Sequence, residues 1–268
     1  MKTVRFLLQR TNGLLEIEAN VVANLCVAEN RWNQGDPNYV GPFYETLALD
    51  LNEVQSADSM PFVAEAIPVG SVEFCNKAAE LQNCKPLRAI NVPDDLRQVC
   101  YLFRGAEDIQ TYEQLKECLG RFPSKIIKPA DIPKRFETIF YDGSKYADVF
   151  LQQEEGPYYV TDMIQGDILS EWRVFFMNNR IIDIRPYIMN QWTVPTRKRI
   201  EDMLEHWVNG KPPAGTLDVA IVEQGGIVYT TILEAHPLIA CGLYGFEDPA
   251  LLLMLEKAWL WHRGENAL

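Results

Sequence analysis

Six charged side chains interrupt strands that are otherwise apolar. Lys128 ends Lys125-Ile-Ile-Lys128-Pro, Arg173 lies within Glu171-Trp-Arg-Val-Phe-Phe, and Arg185 closes Ile181-Ile-Asp-Ile-Arg185. Asp218 breaks Leu217-Asp-Val-Ala-Ile-Val, and Glu234 and His236 end Val228-Tyr-Thr-Thr-Ile-Leu-Glu234-Ala-His236-Pro. A strand with apolar neighbours on both faces is covered on both. Ionised groups there are costly unless paired with one another, a metal or a charged ligand. Residues two apart on a strand share a face, so Glu234 points with His236 and Glu171 with Arg173. Across a hairpin, loop parity decides. A three-residue loop centred on Gly226 sets Asp218 opposite Glu234, and one centred on Asn179 sets Arg173 opposite Arg185. Two-residue loops would put these pairs on opposite faces. Odd-numbered loops, with a bulge, are therefore expected at both turns. Two acids and an imidazole on one hairpin, beside two arginines on another, would make a divalent-cation site next to a phosphate clamp. A nucleoside triphosphate with Mg²⁺ needs that combination.

Each of these residues also has an ordinary structural use. Lys128 could simply end a strand, and Glu171 and Arg173 could pair across strands on a solvated face. A lone histidine such as His236 is more often hydrogen-bonded structure than ligand. Their joint order and spacing carry the argument. Other chemistries have less to draw on. The chain holds no Gly-x-x-x-x-Gly-Lys-Ser/Thr loop, no dinucleotide Gly-x-Gly-x-x-Gly after a strand, no His-Glu-x-x-His and no Gly-x-Ser-x-Gly. Three histidines leave little for a multi-histidine metal site.

The elements that must position these groups fit one large domain or two modest ones in 268 residues. The balance of 25 basic to 37 acidic residues, net −12, argues against nucleic-acid and anionic-membrane partners. The N-terminal stretch does not read as a secretory signal, and the longest dense apolar run, Leu251–Leu255, is too short to span a bilayer. The six cysteines are scattered, with no Cys-x-x-Cys, which suits free thiols in a reducing, cytoplasmic setting. Strands are expected at Val4–Leu8, Ala64–Gly70, Lys125–Lys128 and Tyr158–Ile164. Two hairpins follow, one joining Glu171–Met177 to Arg180–Ile188 and one joining Leu217–Val222 to Ile227–Leu233. Helices are expected over residues 20–30, at Val72–Leu81 after a Ser71 cap, and at Thr111–Leu119 stopped by Gly120. Two more are expected at Thr196–Val208, and at Pro249–His262 capped by Asp248. Arg31–Pro42 reads as loop, and Lys85–Asp95 as a connection. The fold class is α+β, with antiparallel pairing in the second half.

Several pieces taken together resemble an ATP-grasp enzyme of the clade characterised by two arginines and one lysine. They are Ile127-Lys128-Pro129-Ala130-Asp131, Ser170-Glu-Trp-Arg-Val-Phe175, Ile184-Arg185, Leu217-Asp218-Val-Ala, Leu233-Glu234-Ala-His236-Pro and Cys241-Gly-Leu-Tyr-Gly-Phe246. The resemblance covers roughly residues 120–246, with Pro68-Val-Gly-Ser-Val-Glu-Phe74 matching more loosely. It implies two α/β lobes that clamp ATP, an antiparallel sheet in the large lobe, and a small α/β N-terminal domain before them. The implied domains are residues 1–105 for the N-terminal unit and 106–268 for the ATP-grasp unit, with lobes at about 106–165 and 166–268.

By the same resemblance, Lys128 contacts the α- and β-phosphates. Backbone around Met163 and Ile164 reads the adenine edge, and Glu171 belongs to the nucleotide-binding set. Arg173 and Arg185 hold the γ-phosphate and the acyl phosphate made from it, and Asp218 and Glu234 hold Mg²⁺. His236 stands where the wider superfamily has Asn. Imidazole is a poorer Mg²⁺ ligand than oxygen, so His236 acts through a water, contacts phosphate or favours Mn²⁺. Lys134-Arg-Phe-Glu137 departs from relatives that carry a Gly after a Phe-Thr pair, so the loop over the phosphates differs. The implied activity is ATP-dependent joining of a carboxylate to an amine through an acyl phosphate. The acceptor would bind near Gly70-Ser71-Val72-Glu73 and Cys241–Phe246, and the substrates would be small molecules, peptides or proteins. Two alternatives are an ATP-binding assembly chaperone without turnover, like the eukaryotic assembly factor for translation initiation factor two, and an amino-acid ligase that modifies a protein. Lys128→Ala and Arg173→Ala are expected to leave the fold intact.

Overall fold

A computed structural model describes residues 2–35, 41–56, 60–121 and 124–265. Its first half contains β1 (Thr3–Thr11), β2 (Leu14–Leu15), α1 (Ile17–Gly35), β3 (Phe43–Leu49), α2 (Leu51–Gln55), β4 (Ile67–Val69), α3 (Val72–Leu81) and α4 (Val99–Leu102). Then come β5 (Ala106–Ile109), α5 (Tyr112–Arg121), β6 (Lys125–Pro129), β7 (Ile139–Tyr141), α6 (Lys145–Gln153) and β8 (Tyr158–Asp162). The remainder holds β9 (Asp167–Met177), β10 (Arg180–Met189), α7 (Arg197–His206), β11 (Ala214–Gln224), β12 (Ile227–His236) and α8 (Ala250–His262).

These strands form three four-stranded sheets. In the first, β1 pairs in parallel with β3 and β4 and antiparallel with β2. The second runs β5-β8-β6-β7 and the third β10-β9-β11-β12, and neighbouring strands in both are antiparallel. The α+β expectation and the antiparallel second half therefore hold.

Local chemistry explains the element ends. Ser71 Oγ accepts from Phe74 N at 3.3 Å and starts α3. Asp248 Oδ1 accepts from Ala250 N at 2.8 Å, although α8 begins at Ala250 and not at Pro249. Gly120 does not stop α5, which continues to Arg121. Part of Arg31–Pro42 is helical, because α1 runs on to Gly35; residues 36–40 lie outside the described residues. The strand expected over Ala64–Gly70 shrinks to β4, preceded by a 3₁₀ turn at Val63–Glu65. Thr196 has extended geometry, but its side chain makes no cap to α7.

Why α8 is apolar on nearly all sides becomes clear from its packing. Leu251, Leu252, Met254, Leu255, Ala258 and Trp259 join a core with Phe6, Leu7 and Leu8 of β1, and with Phe175 of β9. Phe246, just before α8, stacks on Phe175 with ring centroids 4.3 Å apart. The N-terminal sheet and the third sheet thus share one core. A second core lies on the other face of the third sheet, under α7, with Trp207, Val219 and Ile232, and a third fills the β5–β8 sheet. With both faces covered, β11 is buried from Ala214 to Val222 and reads as a near-continuous apolar run around Thr216 and Asp218. Gly166, between β8 and β9, has φ +103, and a Cβ there would meet Glu223 O at 2.3 Å, so this link between sheets needs glycine.

Among the described residues, no helix is long and apolar enough to cross a membrane. Phe246→Ala is expected to cost about 3–5 kcal/mol in urea unfolding. Because the core is shared, amide exchange should accelerate in β1 as well as in β9.

Candidate nucleotide and metal site

The register of the third sheet sets four charges in one lateral row. Arg185 lies opposite Arg173, Arg173 opposite Asp218, and Asp218 opposite Glu234, across β10, β9, β11 and β12. Both predicted juxtapositions are present, but not through odd-numbered loops. Met177 pairs with Arg180 and Gln224 with Ile227, so both turns have two residues. Asn178, Asn179, Gly225 and Gly226 all have positive φ, as tight hairpin turns of this kind require. Parity is restored inside the strands. The pairing of β10 shifts between Ile181 and Asp183, and that of β12 skips Leu233 between Ile232 and Glu234.

Arg173 is 5% exposed, and each nitrogen of its guanidinium makes one hydrogen bond, which leaves two of its five N–H donors for a ligand. Its Nε donates to Asp218 Oδ1 at 2.8 Å and its Nη2 to Oδ2 at 2.6 Å. Nη1 donates to Gly242 O at 2.8 Å, and the guanidinium carbon lies 5.0 Å from the Tyr244 ring centroid. Burial pushes the Asp218 carboxyl up, but Arg173 and His236 outweigh it and hold it below the usual carboxylate range. Removing the arginine would strand a buried carboxylate. Arg173→Ala is thus not the fold-neutral change that sequence reasoning expects.

Lys128, on β6 of the second sheet, reaches across to Glu234 on β12 of the third. Burial pushes the Glu234 carboxyl up, yet His236 and Lys128 hold it well below its ordinary value. His236 Nε2 lies 3.1 Å from Glu234 Oε1 and 3.7 Å from Asp218 Oδ2. That nitrogen is buried and lacks an aligned hydrogen bond. Burial pushes the imidazole down, but the two carboxylates overcome it and lift its pKa to about 9. One ligand atom from each of Asp218, Glu234 and His236 lies within 4.8 Å of the others. Two carboxylates and an imidazole nitrogen without an aligned partner fit a divalent cation, and mixed oxygen and nitrogen donors suit Mn²⁺ as well as Mg²⁺.

The other expected residues are placed as follows. Arg185 is half-buried, and its Nε donates to Asp183 Oδ2 at 2.6 Å. Glu171 shares the face of Arg173; burial raises its carboxyl, which accepts from the Tyr187 hydroxyl. Met163 and Ile164 are half-buried in the link from β8 to β9, outside the cleft that Lys128 and Arg173 line. Val72, Cys241, Gly242 and Tyr244 line that cleft with Lys128, Arg173, Glu234 and His236. Gly70, Ser71 and Glu73 are not among its lining, and Phe246 belongs to the core. Sequence reasoning passed over Tyr187, whose ring stacks on Tyr244 with centroids 5.1 Å apart. Its signal was its position two residues beyond Arg185. The loop carrying Lys134 is anchored by Phe136, buried against Phe150 and Tyr158.

A family model described as ATP-grasp domain, R2K clade family 2, matches residues 112–254. Similar folds occur in a D-alanine–D-alanine ligase from Bacillus anthracis complexed with ATP, with 12% identity, 99% of this chain and 100% of that chain covered, and a TM-score of 0.53. A RimK domain ATP-grasp protein from Sphaerobacter thermophilus gives 13% identity, 96% and 100% coverage, and a TM-score of 0.52. The macrocyclase MdnC from Microcystis aeruginosa, bound with precursor peptide MdnA, gives 14% identity, 95% and 98% coverage, and a TM-score of 0.51. Among curated proteins, no sequence matches.

Two outcomes test the cluster. Mg²⁺ or Mn²⁺ should raise the melting temperature of the wild type and not that of Asp218→Asn, since only a folded-state site gains from the ion. In chelator, the lowered carboxylates contribute stability above their ordinary values of 3.8 and 4.5 and lose it as pH falls. The raised His236 contributes below 6.5 and loses its contribution as pH climbs through about 9. Urea unfolding of the metal-free protein should therefore show a plateau between these limits, flattened at both ends in Glu234→Gln.

Proposed function

Since the chain belongs to the ATP-grasp domain family R2K clade family 2, we infer that it is an ADP-forming carboxylate–amine ligase. ATP lies between the β5–β8 sheet and the β9–β12 sheet. The observation that carries this reading is the row of Arg185, Arg173, Asp218 and Glu234, faced by Lys128 from the other sheet. Two cations and two anions in adjacent places suit a phosphoryl group in transfer and the cation that accompanies it. Residues 1–105 form the N-terminal unit, and residues 106–165 and 166–268 the two lobes.

A substrate carboxylate oxygen attacks the γ-phosphorus, and the bond to the ADP oxygen breaks. The amine nitrogen then attacks the acyl carbon; inorganic phosphate leaves and the amine gives up a proton. Arg173 and Arg185 hold the transferred group, and Lys128 neutralises the α- and β-phosphates after leaving Glu234. Asp218, Glu234 and His236 would hold Mg²⁺ or Mn²⁺, which when bound neutralises charge between the phosphates. Met163 and Ile164 offer backbone to the adenine edge, and Glu171 borders the phosphate side. This work needs placement and electrostatics, and no side-chain nucleophile. The similar macrocyclase bound with a precursor peptide supports testing peptides among the substrates.

Pooled amino acids, small carboxylic acids and peptides should provoke ADP release in the presence of Mg²⁺. Lys128→Ala and Arg185→Ala, neither fully buried, should each lower kcat/KM for ATP about a hundredfold; the unfolding curve should stay unchanged in Arg185→Ala and shift to lower urea in Lys128→Ala, which leaves Glu234 with His236 alone. Wild-type turnover in both variants would overturn the assignment. Tight ATP binding without release under any pool would favour the chaperone alternative.

A further inference from the structure

The segment that leads from α3 to the second sheet is pinned at alternate residues. Leu87 N donates to Asn76 Oδ1 at 2.7 Å, and Ala89 N donates to Asp131 O at 2.6 Å. Asn91 O accepts from Ala235 N at 2.7 Å, while Asn91 Nδ2 donates to Pro129 O at 3.0 Å. Within five residues this strap is tied to a helix of the N-terminal unit, to the loop after β6, and to β12. Arg88 sits between two of these ties. Its backbone is held at the wall of the cleft that contains Lys128, Arg173 and His236; the residue is exposed and also borders the neighbouring cleft lined by Asp94, Asp108 and Asp131.

Charge accounting separates Arg88 from its neighbours. Lys128 and His236 are answered by Glu234, and Arg173 by Asp218. Among the described residues, Arg88 has no hydrogen bond or ion pair, although the chain carries 37 acidic residues and Glu137 lines the same cleft. Lys134 is the other cation of the cleft without a carboxylate partner among the described residues. It belongs to the loop beside the phosphates, and so it falls to the nucleotide. Arg88 comes from outside both nucleotide-binding sheets, on the strap that leads out of the N-terminal unit. A guanidinium fork on a fixed backbone is suited to a carboxylate, which it can hold through two parallel hydrogen bonds.

We propose that Arg88 holds a second, unreacting carboxylate of the substrates, so that the enzyme takes amino acids or peptides with a free C-terminal carboxylate and not simple amines. This rests on the ligase reading for its place in the reaction, but the subsite can be tested apart from turnover. The full chain with Mg²⁺ and ADP is treated with phenylglyoxal, and labelling of Arg88 is read by mass spectrometry. The competitors are the non-acidic amino acids with a set of dipeptides, or the same compounds as C-terminal amides. Protection by the free acids and not by the amides is expected. Equal labelling in both, or no protection by either, overturns the proposal whatever ADP release does.

In parallel, Arg88→Ala, which breaks no side-chain hydrogen bond or ion pair among the described residues, should raise KM for the protecting acid roughly ten- to a hundredfold. The KM for ATP should stay within about twofold, since Arg88 makes no nucleotide contact in this reading. Arg88→Lys, which keeps the charge and loses the fork, should fall between. An unchanged substrate KM in Arg88→Ala overturns the subsite alone. Protection of Arg88 with no ADP release from any pool overturns the ligase reading alone.

Discussion

The pair of Arg173 and Asp218 is the constraint on which the rest of the cleft depends. It lies in the middle of the third sheet, nearly closed to solvent, and joins β9 to β11 through two parallel hydrogen bonds. Taking two charges out of water costs several kcal/mol for each ion, and geometry of this quality is needed to offset it. The same guanidinium then fixes Gly242 and stacks on Tyr244, so the loop leading to α8 takes its position from the pair. Tyr244 in turn stacks on Tyr187, whose hydroxyl serves Glu171. One ion pair thus orders residues on β9, β10, β11 and the final loop.

The second ion pair has a different character. Lys128 and Glu234 belong to different sheets and are 20% and 25% exposed, against 6% and 3% for Arg173 and Asp218. Water competes for the first pair far more than for the second. A ligand that brings its own negative charge to Lys128 and a cation to Glu234 can replace this contact without leaving either group bare. The cleft therefore combines a permanent electrostatic skeleton with an exchangeable clasp between the sheets.

Much of this was legible in the sequence because charges are conspicuous inside apolar strands. Lys128, Arg173, Arg185, Asp218, Glu234 and His236 stood out one by one, and period-two geometry gave their faces. What the sequence could not show was that Arg173 answers Asp218, because β9 and β11 are joined by 36 residues including α7 and pair only in the folded sheet. Parity failed locally for a similar reason: a bulge leaves no marker as plain as Gly-Gly or Asn-Asn. Several elements were also missed. β5 is short, and its Glu107 and Asp108 face solvent, while the nine residues of α6 include Tyr146, Val149 and Phe150, which favour strands. Gly120 failed as a stop because it lies on an exposed face, where glycine's cost of about 1 kcal/mol does not end a helix held by packing. Arg88 sat in a proline-punctuated stretch that read as mere connection; only its backbone ties show that the stretch is a wall.

The bulges at Ile182 and Leu233 have a consequence for how this sheet can vary. The phase of each hairpin is completed partway along its strands, where the bulge reverses the parity that the two-residue turn sets. An insertion at Asn178-Asn179 or Gly225-Gly226 that keeps Met177 paired with Arg180 and Gln224 with Ile227 leaves every charge in its row. Loss of a single residue at either bulge rotates one end of a strand by half a turn and sends its charge into the apolar layer behind. The tips are therefore free ground for evolutionary drift or for grafted sequence, and two inconspicuous aliphatic residues keep the frame.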